Sequence, residues 1–467
     1  MQYAFGFFTE ISKYLVILIM SLYTVNCVIM LLTQNRNPGI QKVFGVFQNI
    51  LIFLLQAVFY LQMMLAAKKE EYIFFYLFVQ LLLLAIVGLT HIIYEKEHPV
   101  LLSNMCMMLG IGFCMISRLD FSKAVRQLVI VGISFLIAIF LPAVIQKLHI
   151  WKKLTWGYAV AGVGALSGVL LLGEVYGGSK ISYTFAGVIT FQPSEFVKIL
   201  FLFFLAGVLW ENSGFLNVAL SAVTAGLHVM VLVVSNDLGS ALIFFVAYVF
   251  IVFICTRNYF YLLLGAGGGC GAAVVAYYLF DHVRIRVLAW QDPWKYIDKE
   301  GYQITQSLFA IGSGNWFGMG LFGGNPKAIP LVDRDFIFSS ICEEMGVITG
   351  IEILVICVLT FLCMTEMAVK IKDKFYQMIV FGIAVVYLFQ IFLTIGGGTK
   401  FIPLTGVTLP FVSYGGSSAM ASLFMFYIVQ GIYLMLQEQQ QKGETEEDGR
   451  AERKAVCEIE QTQENKE

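Results

Sequence analysis

The sequence predicts an all-α polytopic membrane protein with about thirteen transmembrane helices. Two observations predict the class. Of 467 residues, 59% are hydrophobic and only 13% are charged, outside the range of soluble domains. Apolar stretches long enough to cross a hydrocarbon layer of about 30 Å recur from residue 13 to residue 436, and only helices satisfy the backbone over such runs.

Taken in order, the apolar stretches are 13–33, 43–67, 72–94, 99–117, 125–147, 155–175, 195–211, 215–234, 239–256, 258–280, 337–366, 376–398 and 411–436. Two of them, 99–117 and 195–211, are short for a full crossing and are read as tilted or partial. The first stretch follows no basic leader and no small-residue cleavage site, so it is read as a retained span. After the last stretch, residues 437–467 form a polar tail. The tail is charged and without apolar periodicity, and is expected to be a disordered cytoplasmic extension. With the long 281–336 loop placed outside, the short inner loops carry ten Lys and Arg against eight on the other side apart from that loop, and KIKDK at 370–374 falls inside.

Composition also excludes functions. A formal net charge of -1 and the lack of a basic face argue against nucleic acid as a partner. Nine cysteines without a C-x-x-C pair read as small buried hydrophobes, and five scattered histidines lack the spacing of a zinc helix.

Chemistry is expected where charge meets the membrane edge. The loop 281–336 is far longer than a helix connection of about 2 to 8 residues, and its segment QITQSLFAIG has helical spacing between glycines. It carries Arg284 and Arg286 close to the membrane, with Trp290 and Trp294 as interfacial anchors. In FQPSEFVK, Pro193 suits a first helical position, and Glu195 and Lys198 share a face, either as a structural ion pair or as part of a binding site. In SNDLGSALIFF, Asn236 or Asp237 can cap a helix and Gly239 admits close approach of a second backbone; Asp237 is a cap or a ligand group. The segment FIPLTGVTLPFVSYGGSSAM places small residues from Gly415 to Ser418 at a helix start, for tight packing or for a headgroup cavity. In RDFIFSSICEEMG, Asp335 precedes an apolar run that contains Glu343 and Glu344. Unpaired charge at mid-bilayer costs about 2.5 to 3.5 kcal/mol or more, so both glutamates must face a cavity or a cation.

In this order and spacing, FQPSEFVK, SNDLGSALIFF, GYQITQSLFAIGSG, DFIFSSICEEMG and LPFVSYGGSS resemble the SEDS family (shape, elongation, division and sporulation), whose members include FtsW, RodA and SpoVE. The resemblance covers about residues 99 to 436, which it implies to be a catalytic membrane domain with a ten-helix core, and leaves about three extra N-terminal transmembrane helices over 1–98 outside it. It implies a bacterial cytoplasmic-membrane enzyme that polymerises lipid II into peptidoglycan glycan strands with a class B penicillin-binding protein as partner. The family's essential aspartate falls on Asp335, its loop motif on Gly301, Tyr302, Gln303, Gln306, Ser307, Gly312 and Gly314, and its paired glutamates on Glu343 and Glu344. Departures include Leu331 for a usual glutamate, Asp333 and Arg334 for a common His-Thr, Asn315 for a glycine, and SNDLGS for QPDLGT.

On this reading Asp335 is the general base for a sugar hydroxyl, with a helix cap as its alternative role. Lys198, Arg284, Arg286, Gln303, Gln306, Lys400, Ser413 and Ser417 are expected to bind substrate; Arg334 is a further cation for its pyrophosphate. Glu195, Asp237, Glu343 and Glu344 are expected to support the site. Glu344 is expected to orient the surroundings of Asp335 or to meet a lysine. A divalent cation, Mg or Mn, with Asp335 or Glu344 as an oxygen ligand is an additional candidate for the leaving-group charge. The competing reading is a lipid-linked precursor flippase, which would gather ionisable groups at the midplane of its spans; a third is a scaffold, for which Asp335 is dispensable.

Overall fold

The computed structural model describes residues 2–33, 38–148, 150–176, 179–185 and 189–464. Three N-terminal helices, α1 (Gln2–Thr33), α2 (Pro38–Ala67) and α3 (Glu71–Ile93), precede α4 (Pro99–Leu119), α5 (Phe121–Ala138) and α6 (Leu141–Lys147). A 3-10 turn at Trp151–Leu154 leads into α7 (Thr155–Leu172). Strands β1 (Glu174–Tyr176), β2 (Ser179–Phe185) and β3 (Ile189–Phe191) then form an antiparallel meander that the sequence did not predict. There follow α8 (Pro193–Leu209), α9 (Phe215–Val234), α10 (Leu238–Thr256) and α11 (Tyr259–Leu279). The long loop holds α12 (Asp281–Gln291) and α13 (Tyr302–Gly314), and the chain ends with α14 (Ile337–Lys370), α15 (Lys374–Gly398) and α16 (Gly416–Glu464).

Twelve helices among the described residues are long and apolar enough to cross a membrane. The thirteenth expected span is α8, 17 residues long. The other stretch expected to be partial, α4, is a full 21-residue helix, started by Pro99 after a His98 cap and stopped by Asp120, whose carboxylate caps α5 through the N–H groups of Ser122 and Lys123.

Burial separates the helices sharply. Every residue in the most apolar window of α4 is buried, whereas none in α11 is. The N-terminal helices produce the first result: α2 and α3 pack on α4, and α1 packs on α14. The tail is a correction to the sequence reading. Beyond Gln437, α16 continues as helix to Glu464 where disorder was expected. Its Glu, Gln, Lys, Arg and Ala content has high intrinsic helix propensity, which low hydrophobicity does not cancel.

The chain direction fixes two ends of the bundle. The loops before α8, α10, α14 and α16 lie at one end, here called the site end, and the KIKDK turn between α14 and α15 lies at the other.

Candidate functional site

Asp335 sits in the last turn before α14. The backbone just before it is fixed from the non-helical connection between α15 and α16, and α5 holds the side chain of Asp333. The Ser413 hydroxyl donates to the Arg334 carbonyl at 2.6 Å, the Tyr414 N–H donates to the Asp333 carbonyl at 2.7 Å, and Lys123 pairs with Asp333 at 2.9 Å. Ile329, Val332 and Phe336 form a small apolar cluster with Leu119 and Ala310 beneath this turn. Asp335 itself is half-buried, and its carboxylate makes no hydrogen bond or ion pair among the described residues. Burial pushes its carboxyl up to about 6, against the pull of Arg334 and Arg286 and with help from Asp333.

Arg286 comes from α12 and donates to the Leu404 carbonyl at 3.2 Å. A Cβ on Gly406 would lie 3.9 Å from Asp335 Oδ2 and 4.0 Å from Arg286 Nη2, so carboxylate and guanidinium flank the same backbone position. Burial lowers the Arg286 pKa, while Asp335 and Asp237 raise it. The result is an anion and a cation close together but not in contact, an arrangement able to accept a proton and to face negative charge.

The 399–415 connection also touches α10 and α8. A Cβ on Gly239 would lie 2.8 Å from the Thr405 carbonyl, so only glycine lets this backbone approach the start of α10. Asp237 caps α10 by accepting from the Ser240 N–H at 3.1 Å, and it accepts from the Ser194 hydroxyl at 3.2 Å. Burial raises its carboxyl. Lys198 is fully buried, pairs with Glu195 at 2.7 Å and donates to Gln390 Oε1 at 3.1 Å. Gln390 in turn donates to the Thr408 carbonyl at 3.1 Å. Ser417 accepts from the Gln192 N–H at 3.0 Å and donates to the Thr190 carbonyl at 3.2 Å, tying α16 to the strand before α8.

Glu343 and Glu344 do something else. At Gly346, with φ 89° and ψ 160°, α14 breaks its helical path and frees backbone groups on both sides. The segment 315–320 satisfies them: Met319 and Gly320 N–H donate to the Glu343 and Glu344 carbonyls, both at 2.9 Å, and Val347 N–H donates to the Asn315 carbonyl at 2.9 Å. The carboxylates hold the next turn of the same loop. Glu343 Oε1 accepts from the Asn325 N–H at 2.8 Å. Glu344 Oε1 accepts from the Phe322 N–H at 3.0 Å and from Arg118 at 2.8 and 3.1 Å, with the Phe322 ring 4.0 Å from the guanidinium carbon.

Several expectations change accordingly. Glu344 meets Arg118, not a lysine, and braces the loop that leads to Asp335. Ser413, expected to bind substrate, is buried and spends its hydroxyl on the Arg334 carbonyl and the Leu409 N–H. Lys198 has its charge committed to Glu195 inside the bundle. Arg284 pairs with Asp281 at 2.7 Å on an exposed face of α12. Gln303 and Gln306 are half-buried on α13 and make no side-chain hydrogen bond among the described residues. Lys400, half-buried with φ 62°, has no ion pair among the described residues, and its carbonyl accepts from Trp290 Nε1 at 3.1 Å.

Sequence reasoning missed Arg118, Lys123 and Gln390 as parts of this assembly. Arg118 and Lys123 had a signal, since both border the charged turn at Asp120 between two apolar runs. Among the described residues no group of three or more His, Cys, Asp or Glu side chains could hold a metal ion.

Relatives include a peptidoglycan glycosyltransferase RodA of Mycobacterium leprae (strain TN), 31% identical over 72% of this chain and 77% of the relative. Stage V sporulation protein E of Bacillus subtilis (strain 168) is 32% identical over 64% of this chain and 83% of its own length. A chain from a peptidoglycan synthase complex that coordinates polymerization and crosslinking shares the fold, with TM-score 0.64, 24% identity, and coverage of 73% of this chain and 99% of that one. The rod shape determining protein RodA of Thermus thermophilus does so with TM-score 0.54, 23% identity, and coverage of 73% and 97%. The model of the FtsW, RodA and SpoVE family, described as cell cycle protein, matches residues 101–438, so the chain belongs to that family and its first hundred residues precede the matched region.

Proposed function

We propose that this multi-pass bacterial membrane protein is a peptidoglycan glycosyltransferase that polymerises lipid II into glycan strands, with Asp335 as its general base. The observation that carries the assignment of Asp335 is its half-buried carboxylate, left without an internal partner next to Arg286. The acceptor's 4-hydroxyl attacks the anomeric carbon of the donor; the new C–O bond forms as the bond to the lipid pyrophosphate breaks. Asp335 takes the hydroxyl proton. One base with direct displacement gives inversion, and no second carboxylate is needed as nucleophile.

The leaving pyrophosphate needs cations that are not already neutralised. Arg286 and Lys400 meet that requirement, whereas Lys198 and Arg284 are paired. Gln303 and Gln306 offer free amide groups for sugar hydroxyls. We assign any Mg or Mn ion to the substrate's pyrophosphate and not to a resident site. The partner is a second protein of the synthase, and on the finer reading a class B penicillin-binding protein that cross-links the strands as they emerge.

A flippase would place ionisable groups at mid-span. Here Asp335, Arg286, Asp237 and the Arg118–Glu344 pair gather at the site end, while Glu352, buried midway along α14, is taken up by the Ser21 hydroxyl of α1. The test is polymerisation of lipid II by purified wild type and Asp335→Asn, with lipid II transport measured in parallel. The enzyme reading expects strands from wild type alone; transport without polymer in every condition would replace it with the flippase.

A further inference from the structure

We propose that α1–α3, which lie outside the matched family region, form a built-in brace for the loop that delivers Asp335, with Gln62 as its principal positioning residue. The inference rests on the reading of Asp335 as the reacting group.

Three contacts join the N-terminal helices to the segment 316–322. The Tyr14 ring lies 5.6 Å from the Phe317 ring, centroid to centroid. Thr9 Cγ2 stands 2.7 Å from where a Cβ on Gly320 would be. Ser12 donates to Gln62 Oε1 at 2.9 Å, and Gln62 Nε2 donates to the Leu321 carbonyl at 3.3 Å. Ser12, Gln62 and Leu321 are all buried, so breaking this relay leaves polar groups without partners away from water.

A second set of contacts fixes the other side of the same node. Ser117 donates to Met63 Sδ at 3.5 Å, and Tyr72 and Phe75 pack edge-on against Phe121 at 5.2 and 5.3 Å. These hold the α4–α5 corner, which supplies Arg118 to Glu344 and Lys123 to Asp333. Leu321 and Phe322 therefore stand between Gln62 on one side and Arg118 with Glu344 on the other. The loop leading to Asp335 is gripped twice, once by the core and once by the extra helices. Holding a reacting group to within a fraction of an ångström governs the chemical step more than substrate capture.

The test uses the full chain in the lipid II polymerisation assay, with hydrogen exchange of the amides of residues 316–325 measured alongside. Gln62→Leu keeps the volume and removes both of its bonds; Ser12→Ala is a milder variant that keeps the Gln62 bond to Leu321 and removes the Ser12 bonds to Gln62 and to the Thr9 carbonyl. Asn26→Leu cuts a bond between α1 and α2, from Asn26 Nδ2 to the Phe44 carbonyl at 3.1 Å, at the end of the bundle away from the loop. Gln62→Leu is expected to speed exchange in 316–325 by about tenfold and to lower kcat roughly fivefold with KM kept within about twofold. Ser12→Ala should shift both readouts in the same direction by less, and Asn26→Leu should leave kcat unchanged. Wild-type kcat in folded Gln62→Leu, or in Ser12→Ala should Gln62→Leu not fold, overturns the brace; so does an equal loss of kcat in Asn26→Leu. Asp335→Asn is measured in the same series. Polymer from that variant removes the reading of Asp335, whereas an inactive Asp335→Asn beside a fully active Gln62→Leu removes only the brace.

Discussion

Asp335 and Glu344 are carboxylates nine positions apart on one segment, and their surroundings are opposite. Glu344 is buried, accepts from Arg118 and the Phe322 N–H, and holds a loop against a break in α14. Asp335 keeps some exposure and accepts no hydrogen bond among the described residues. Glu344 is held through Oε1 alone, its Oε2 being buried without a hydrogen-bond partner among the described residues; a carboxylate with no donor at all, left so at some cost, is a candidate for chemistry. The same contrast divides the cations. Arg118, Lys123 and Lys198 are paired, and Arg286 flanks Asp335 without contact.

The comparison breaks most visibly at Glu344. Glu344→Gln leaves the Arg118 guanidinium without its counter-ion in a buried site and is expected to cost about 3 to 5 kcal/mol of stability. Thermal unfolding in detergent measures it; a melting temperature equal to wild type would mean that the pair is not structural.

A smaller effect is expected with pH at Asp335. A base must be deprotonated, so polymerisation should rise with pH through about 6 and fall by about tenfold per unit below that. Stability carries the opposite sign. With the folded pKa raised above its unfolded value, the contribution of Asp335 is complete below the unfolded pKa and is lost as pH rises through about 6. A pH–rate profile without an acid limb near 6 would separate the rate from this carboxyl.

The smallest effect belongs to Ser413→Ala, which removes the hydroxyl that fixes the Arg334 carbonyl. It should lower stability by about 1 kcal/mol and reduce kcat while leaving KM for lipid II nearly unchanged. A raised KM with normal kcat would return Ser413 to the substrate-binding role expected from sequence.

Much of this was legible in the sequence because hydrocarbon and capping impose local rules. Apolar length gives the spans, Asp237 and Pro193 mark helix starts, and Gly239 admits the Thr405 backbone as its lack of a side chain suggests. The division of labour among charges was not legible, since it depends on partners far apart in the chain. Arg118 and Glu344 are separated by 226 positions, and Lys198 and Gln390 by 192. The break at Gly346 was also hidden, because a glycine inside an apolar run reads as a packing residue until a second backbone is seen beside it. The helical tail was missed for the reverse reason: weight was given to its polarity and not to its propensity.

The central claim is that Asp335 is held ionised, at a cost to the fold, in order to take a proton from the acceptor sugar. Its most direct test is to measure strand formation from lipid II and melting temperature together for wild type and Asp335→Asn above pH 7. The account predicts no strands from the variant and a melting temperature at or above that of wild type, since the burdened charge has gone. Strands formed by a well-folded Asp335→Asn would contradict it.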